Sequence, residues 1–573
     1  MQEGHRRLTV ASAAVVTLAF AGTLAPAGAQ AATPLPTPVR TEGVGKPPSG
    51  AGMGTKAALE NPKCNPDAVE GWGTFSFVTV NGGPFCVVPA PADNGGATAR
   101  GVTADSIKVV VVLATAQQLA EQANAGSQSA KNDATGEVGE MRDAILDAWA
   151  PYEKFYELWG RRVDFVFIDS SGSDETAQRA DAIKVQGEKP FAVIDSTPSG
   201  LTVLEGLVAQ GKTLVYGFGT KVEDTVAQAP YRWGQTDQQS GAINTAEWAG
   251  KQLVKRKAEY AGDDALKSKE RAFGAIYTNS IEIDGFTKQF TKYGGKLSTP
   301  ALEYQTIPGI LGDASSAQEQ APTLVTKLKT AGVTSVLLFS DTAMNTAITR
   351  AATQQEYFPE WIVTGYQFAD LSLLARSYDQ RQWSHAFGLS NLFPSVRDAP
   401  TALGPVLWYW GTGVATSSTL AGAMVGWLAG GIQYSGPTLT AKNFQKGYFA
   451  VPARGGAASA DPASFMVGYG RTAGLPYDEY MALGTDYSPV WWDANRSGES
   501  QVRPVVAKGV NMYVNGAKRY LSGTWPKQPF NFFDPNGAVY AFDTDPVPPT
   551  PDAPCIGCPS QGGPGTPAAI NRS

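Results

Sequence analysis

The sequence predicts an α/β protein built from two doubly wound, Rossmann-like units. Three observations predict it. Apolar runs without polar alternation take turns with amphipathic stretches at helical spacing. The loops between them are short, and the whole cycle restarts after Trp233. A chain of 573 residues has room for roughly two to four domains, and 43% apolar with 17% charged residues is a globular composition. The net charge of −6 is mild, so nucleic acid is not an expected partner, since phosphate binding needs a concentrated basic surface.

Residues 107–113 are β-branched and apolar past Lys108, as in a strand buried on both faces of a parallel sheet. Val138, Met141, Ile145, Trp149, Tyr152 and Phe155 recur at helical spacing, with Pro151 expected to kink or restart that helix. Strands follow over 163–168, 191–194 and 213–216, separated by helices over 176–186 and 201–209. In the second cycle, helices are predicted over 240–255, 284–293, 322–331 and 344–354. Strands are predicted over 272–277, 301–305, 335–339 and 361–364. Residues 399–441 carry no charge. Within them, 414–432 reads as a membrane span or as a buried helix, and its interrupting Gly, Ser and Thr favour the buried helix.

The ends read differently. Arg6 and Arg7, the apolar run 10–20 and Ala27-Gly28-Ala29 (or Ala29-Gln30-Ala31) form a signal-peptide pattern over 1–31, so the chain is expected to be exported. No cysteine stands at the cleavage site, so no lipid anchor is expected there. Residues 32–100 form a leader with a small hairpin, and 536–573 a Pro/Gly tail. Cys64 with Cys86, and Cys555 with Cys558, read as disulfides in an oxidising compartment. The Cys555-x-x-Cys558 spacing also leaves metal or redox chemistry open.

Catalytic constellations are scarce. The two histidines are His5, in the signal segment, and His385, which reads as structural. No G-x-S-x-G elbow and no P-loop occur. The stretch from Gly468 to Gly474 misses the dinucleotide fingerprint by one residue, so no cofactor and no metal are expected. Carboxylate-only hydrolysis stays open.

Gly101-Val102-Thr103-Ala104-Asp105-Ser106-Ile107-Lys108-Val109 resembles the opening of mature type I periplasmic solute-binding proteins, the branched-chain amino acid binding family of ABC transporters. Three further stretches agree in order: the segment from Tyr231 to Ala242, with Asp237 at the acidic position of the first crossing; Ser435-Gly436-Pro437-Thr438-Leu439-Thr440; and Tyr477-Asp478-Glu479-Tyr480 with Asp486 and Val490-Trp491-Trp492-Asp493, which resembles the closing hairpin. The resemblance implies two lobes joined by three crossovers, 101–235 with 394–460 and 236–393 with 461–535. It also implies a ligand in the cleft between them and a small-molecule partner, an amino acid or related solute, delivered to an ABC permease.

Site candidates lie where strands end. Ser196, Thr197 and Ser199 enter a helix after the third strand, where hydroxyls and free amides suit a carboxylate or serve as helix caps. Thr220 follows the fourth strand, and Ser280 and Glu282 follow the first strand of the second unit. Tyr366 and Gln367 follow a later one. Amino-acid binders of the family place a carboxylate there, and the neutral Gln367, with Asp370 three residues on, argues against an α-amino acid. The expected function is solute binding without catalysis. The alternatives are a surface interaction or sensing module and a carboxylate-dependent hydrolase.

Overall fold

The computed structural model describes residues 93–115, 118, 137–155, 158–197, 200–217, 221–235, 237–278, 281, 283–306, 312–392, 417–450, 468–471, 475–481, 485–498 and 506–540. The signal segment, the leader hairpin, all four cysteines, most of the tail, and site candidates Ser199, Thr220, Ser280 and Glu282 lie outside the described residues.

The first sheet contains β1 (Ser106–Leu113), β2 (Arg162–Asp169), β3 (Ala192–Asp195), β4 (Leu214–Gly217) and β5 (Arg232–Gly234). They lie in the order β2-β1-β3-β4-β5 with every pair parallel. Val109, Val111, Ile194 and Tyr216 face one core, and Val110, Val112, Val193 and Val215 face another. Burial on both faces explains the unbroken apolar runs. Helix α1 (Glu137–Phe155) covers the first face, and α2 (Glu175–Gly187) with α3 (Thr202–Gln210) the second. Pro151 does not break α1. The stripe Ala144, Ile145, Ala148, Trp149, Tyr152 stays buried across it, so packing against the sheet outweighs one lost backbone hydrogen bond.

After the short helix α4 (Val222–Ala227) and β5, α5 (Gln238–Gln252) opens the second unit. Its strands are β6 (Phe273–Thr278), β7 (Leu302–Tyr304), β8 (Ser335–Phe339), β9 (Glu360–Val363) and β10 (Ala386–Ser390), all mutually parallel. Helices α5 and α6 (Ile283–Lys292) cover one face, α7 (Ala314–Thr330) and α8 (Thr342–Gln354) the other. Helix α7 starts eight residues before Pro322, the residue read as its opening, because Asp313 caps it by accepting from the Ser315 and Ser316 amides at 2.9 and 3.2 Å. Pro322 sits on the exposed side.

The chain then returns to the first core. Helices α9 (Ser417–Tyr434) and α10 (Ala441–Ala450) bury Met424, Val425, Trp427, Leu428, Phe444 and Tyr448 beside α1 and β4. Within the uncharged stretch, Ser417–Tyr434 is thus a core helix, and no helix among the described residues is long and apolar enough to cross a membrane. The short pair β11 (Gly470–Arg471) and β12 (Asp478–Glu479) follows. The antiparallel hairpin β13 (Ser488–Gly498) and β14 (Ala507–Tyr513) then joins β10, completing the order β14-β13-β10-β9-β8-β6-β7.

Candidate ligand site at the carboxyl ends of the two sheets

In open α/β sheets ligands gather where strands end, because loops and helix N-termini converge there. Strand β3 ends on Asp195, and the two hydroxyls that follow turn inward. Ser196 Oγ donates to the Val112 carbonyl of β1 at 2.7 Å, and the Ser196 amide donates to the same oxygen at 3.1 Å. Thr197 donates its amide and its hydroxyl to Asp195 Oδ1, at 2.9 and 2.6 Å. Asp195 Oδ2 accepts from the Leu201 amide, closing the loop onto α3. Neither hydroxyl caps that helix. Gln178 of α2 does so instead, accepting from the Val203 amide at 3.0 Å.

Two more carboxylates lie behind this edge. Glu205 of α3 is fully buried and paired at 3.1 Å with Arg232 of β5, itself buried. Arg232 also donates to the Thr202 carbonyl and Gln228 Oε1, both at 3.1 Å, and meets Asp224 at 3.3 Å. The end of β4 must be glycine, since a Cβ on Gly217 would lie 1.9 Å from Glu205 Oε1. Burial, and then the Glu205 charge, push the Asp195 carboxyl up to about 7 against its three donors.

On the second sheet, Thr278 ends β6 and its hydroxyl lies 2.7 Å from the Tyr366 hydroxyl. Asp341, after β8, caps α8 through the Met344 amide at 2.8 Å and accepts from Tyr304 at 2.8 Å and Thr306 at 2.9 Å. Burial raises it to about 6. After β9 the backbone turns left-handed at Gly365 (φ 72°), Gln367 (φ 47°) and Phe368 (φ 57°). Such strain persists only where the surroundings impose it, and it concentrates at ligand sites. Gln367 is part-exposed, whereas Tyr366 is buried. Asp370 follows three residues after Gln367. It is buried, accepts from the Ser390 hydroxyl, and is raised to about 6 by burial.

These two edges meet at one place. The Gln235 amide donates to the Gly217 carbonyl at 2.9 Å, so the chain leaves β5 beside the end of β4. Asp237 then caps α5 through the Gln239 and Ser240 amides at 2.8 and 3.1 Å. Ser240 lies 3.2 Å from the Tyr487 hydroxyl, and the Tyr487 ring packs beneath Gly365, where a Cβ would come within 3.1 Å of it. The ends of β4, β5 and β9 therefore converge on residues 235–241. Arg519 ties the neighbouring chain passages together, donating to the Asn391 carbonyl at 2.7 Å and to the Leu392 carbonyl. It also reaches the Asp486 carbonyl at 2.8 Å and pairs with the Asp486 carboxylate at 2.9 Å.

Of the described candidates, Asp237 and Tyr366 lie at this convergence and Gln367 borders it. Ser196 and Thr197 stand at the β3 edge with their protons engaged inside the chain. The sequence does not announce Glu205 with Arg232, 27 residues apart, or Arg519, whose carbonyl partner Asn391 is 128 residues away, nor Asp195, which holds its own loop. His385 holds a structural contact, Nδ1 to the Tyr260 carbonyl at 3.0 Å, and burial lowers its pKa below the usual value. No group of three or more His, Cys, Asp or Glu placed to hold a metal occurs among the described residues.

Several solved structures similar to this chain are solute-binding proteins of ABC transporters. One from R. palustris, in complex with 4-hydroxybenzoate, is 12% identical, with 74% of this chain and 98% of that chain covered at a TM-score of 0.46. An ABC transporter substrate-binding protein from Aeropyrum pernix is 11% identical, covering 68% and 92%, at 0.45. A fatty acid ABC transporter substrate-binding protein from Thermomonospora curvata is 13% identical, covering 71% and 93%, at 0.42. No family model and no curated protein matches the chain.

Proposed function

We propose that the chain is an exported solute-binding protein that captures a small polar or amino-acid-like solute between two closing lobes for uptake by an ABC permease. The supporting observation is the convergence of the carboxyl ends of two separate parallel sheets on the crossing at 235–241. Two of the four stretches that resemble the solute-binding family, 231–242 and 477–493, lie at that convergence. In this reading the lobes are 101–235 with 394–460 and 236–393 with 461–535. Ser196, Thr197, Ser199 and Thr220 form one wall, Ser280, Glu282, Tyr366 and Gln367 the other, and Asp237 the floor. The engaged hydroxyls of Ser196 and Thr197 make them organisers of their loop. No chemistry is performed on the solute.

A thermal-shift series on the exported chain with L-leucine, 4-hydroxybenzoate, benzamide and glucose tests this. The expected result is saturable stabilisation by one class, about 2.7 kcal/mol at a hundredfold excess over Kd. A flat series overturns solute binding. The inward-turned hydroxyls favour a second reading in that event, a surface interaction module that keeps the fold without a small ligand.

A further inference from the structure

Two carboxyl groups from distant segments meet out of water where the chain passes between the sheets. Asp237 lies in the first passage, from β5 to α5. Glu479 lies in β12, whose continuation runs beside the end of β5: the Gly234 amide donates to the Tyr480 carbonyl at 3.1 Å, and Gly234 pairs with Met481 as a parallel bridge. From there the chain enters β13. Glu479 is 0% exposed and Asp237 5%.

The partners are unevenly shared. Asp237 Oδ1 holds the α5 cap, and Oδ2 accepts from the Tyr477 hydroxyl. Glu479 Oε1 accepts from the Met481 amide at 2.8 Å, while Oε2 is buried towards Asp237 and receives no donor from the described residues. An ionised Oε2 accepts only and is repelled by the facing Asp237, whereas a protonated one donates. Burial, and then the Asp237 charge, raise the Glu479 carboxyl well above its ordinary range. Burial raises Asp237 to about 6 despite its donors. The other titratable groups acting on the pair are the phenols Tyr477, Tyr487 and Tyr469 and the carboxylate of Glu223 on α4.

We propose that Asp237 and Glu479 share one proton that pins the passage from β5 to α5 against the segment from β12 to β13, and that losing it loosens the join between the two sheets. Its effect on solute capture rests on the function proposed above. The proton pair itself belongs to the ligand-free chain and stands if no solute binds.

The test is the melting temperature of the ligand-free full chain from pH 5 to 8.5, with hydrogen exchange of the Gly234 and Met481 amides corrected for intrinsic base catalysis. Wild type is expected to lose melting temperature, and both amides to lose protection, as pH rises. Glu479→Gln is expected to remove roughly 2 °C per pH unit of that decline and to flatten the pH dependence of protection at both amides. Tyr477→Phe, which keeps both carboxyls, is expected to retain the slope. A Glu479→Gln slope equal to wild type overturns the proposal, as does a Tyr477→Phe variant that loses the slope. If Glu479→Gln does not fold, Asp237→Asn keeps a capping oxygen and is read by the same criteria.

Discussion

Arg232 and Glu205 are both buried, and neither has water to fall back on. Arg232→Met leaves Glu205 as an uncompensated buried charge, so unfolding free energy should drop by about 3–5 kcal/mol, measured by urea denaturation. Glu205→Gln should cost less, since its amide still accepts from Arg232. Gln367 offers the opposite case. Gln367→Gly removes the steric penalty of φ 47° and should raise stability by about 1 kcal/mol. The same change should weaken binding of whichever solute the thermal series identifies, and unaltered affinity would remove Gln367 from the site. At this scale the sequence was least legible. Ser196 looks like a free donor because its acceptor, the Val112 carbonyl, is 84 residues away, whereas Thr197 turns back to Asp195 two residues before it. Tyr477 and Asp237 are 240 residues apart, so nothing local announces that they meet.

Single elements were easier to read, because burial leaves its period in the chain. Strand β1 was visible since both its faces are covered, which removes polar alternation. The errors came from proline. Pro151 lies within α1 and Pro322 within α7, and in each case a buried stripe on one face outweighs the local signal to stop. Helix α9 shows what such packing is worth. Leu428 is fully buried, and Leu428→Ala should lower stability by about 2–5 kcal/mol. Ile183 on α2 is 75% exposed, and Ile183→Ala should change stability by less than about 0.5 kcal/mol. Equal losses from the two would contradict the core placement of α9.

Across the whole molecule the buried carboxyls set a pH dependence. Asp195 is raised to about 7, and Asp341 and Asp370 to about 6, chiefly by burial. Each binds its proton more tightly folded than unfolded. Their contribution is complete below the ordinary carboxyl range near 4 and is lost as pH rises through 6 to 7. Urea midpoints should therefore fall between pH 5 and pH 7.5, and Asp195→Asn should shrink that fall. The doubly wound pattern of both units was legible because strand and helix periods repeat in order. The mixed edge of the second sheet was legible only through the resemblance of residues 477–493, since a hairpin added to a parallel sheet carries no distinctive period.

Trp159 binds the carbonyls of Ile432 and Gln433, 273 and 274 residues further on. A ribosome that has made the first five strands has not yet made the helices that seal one of their faces. Until roughly three quarters of the polypeptide exists, the part of that surface beyond α1, with Tyr216 and Trp233 on it, lacks the cover of Trp427 and Phe444. A nascent chain of this design stays unfinished until late in its synthesis. A product truncated near residue 392 should accumulate as aggregate rather than as half a protein.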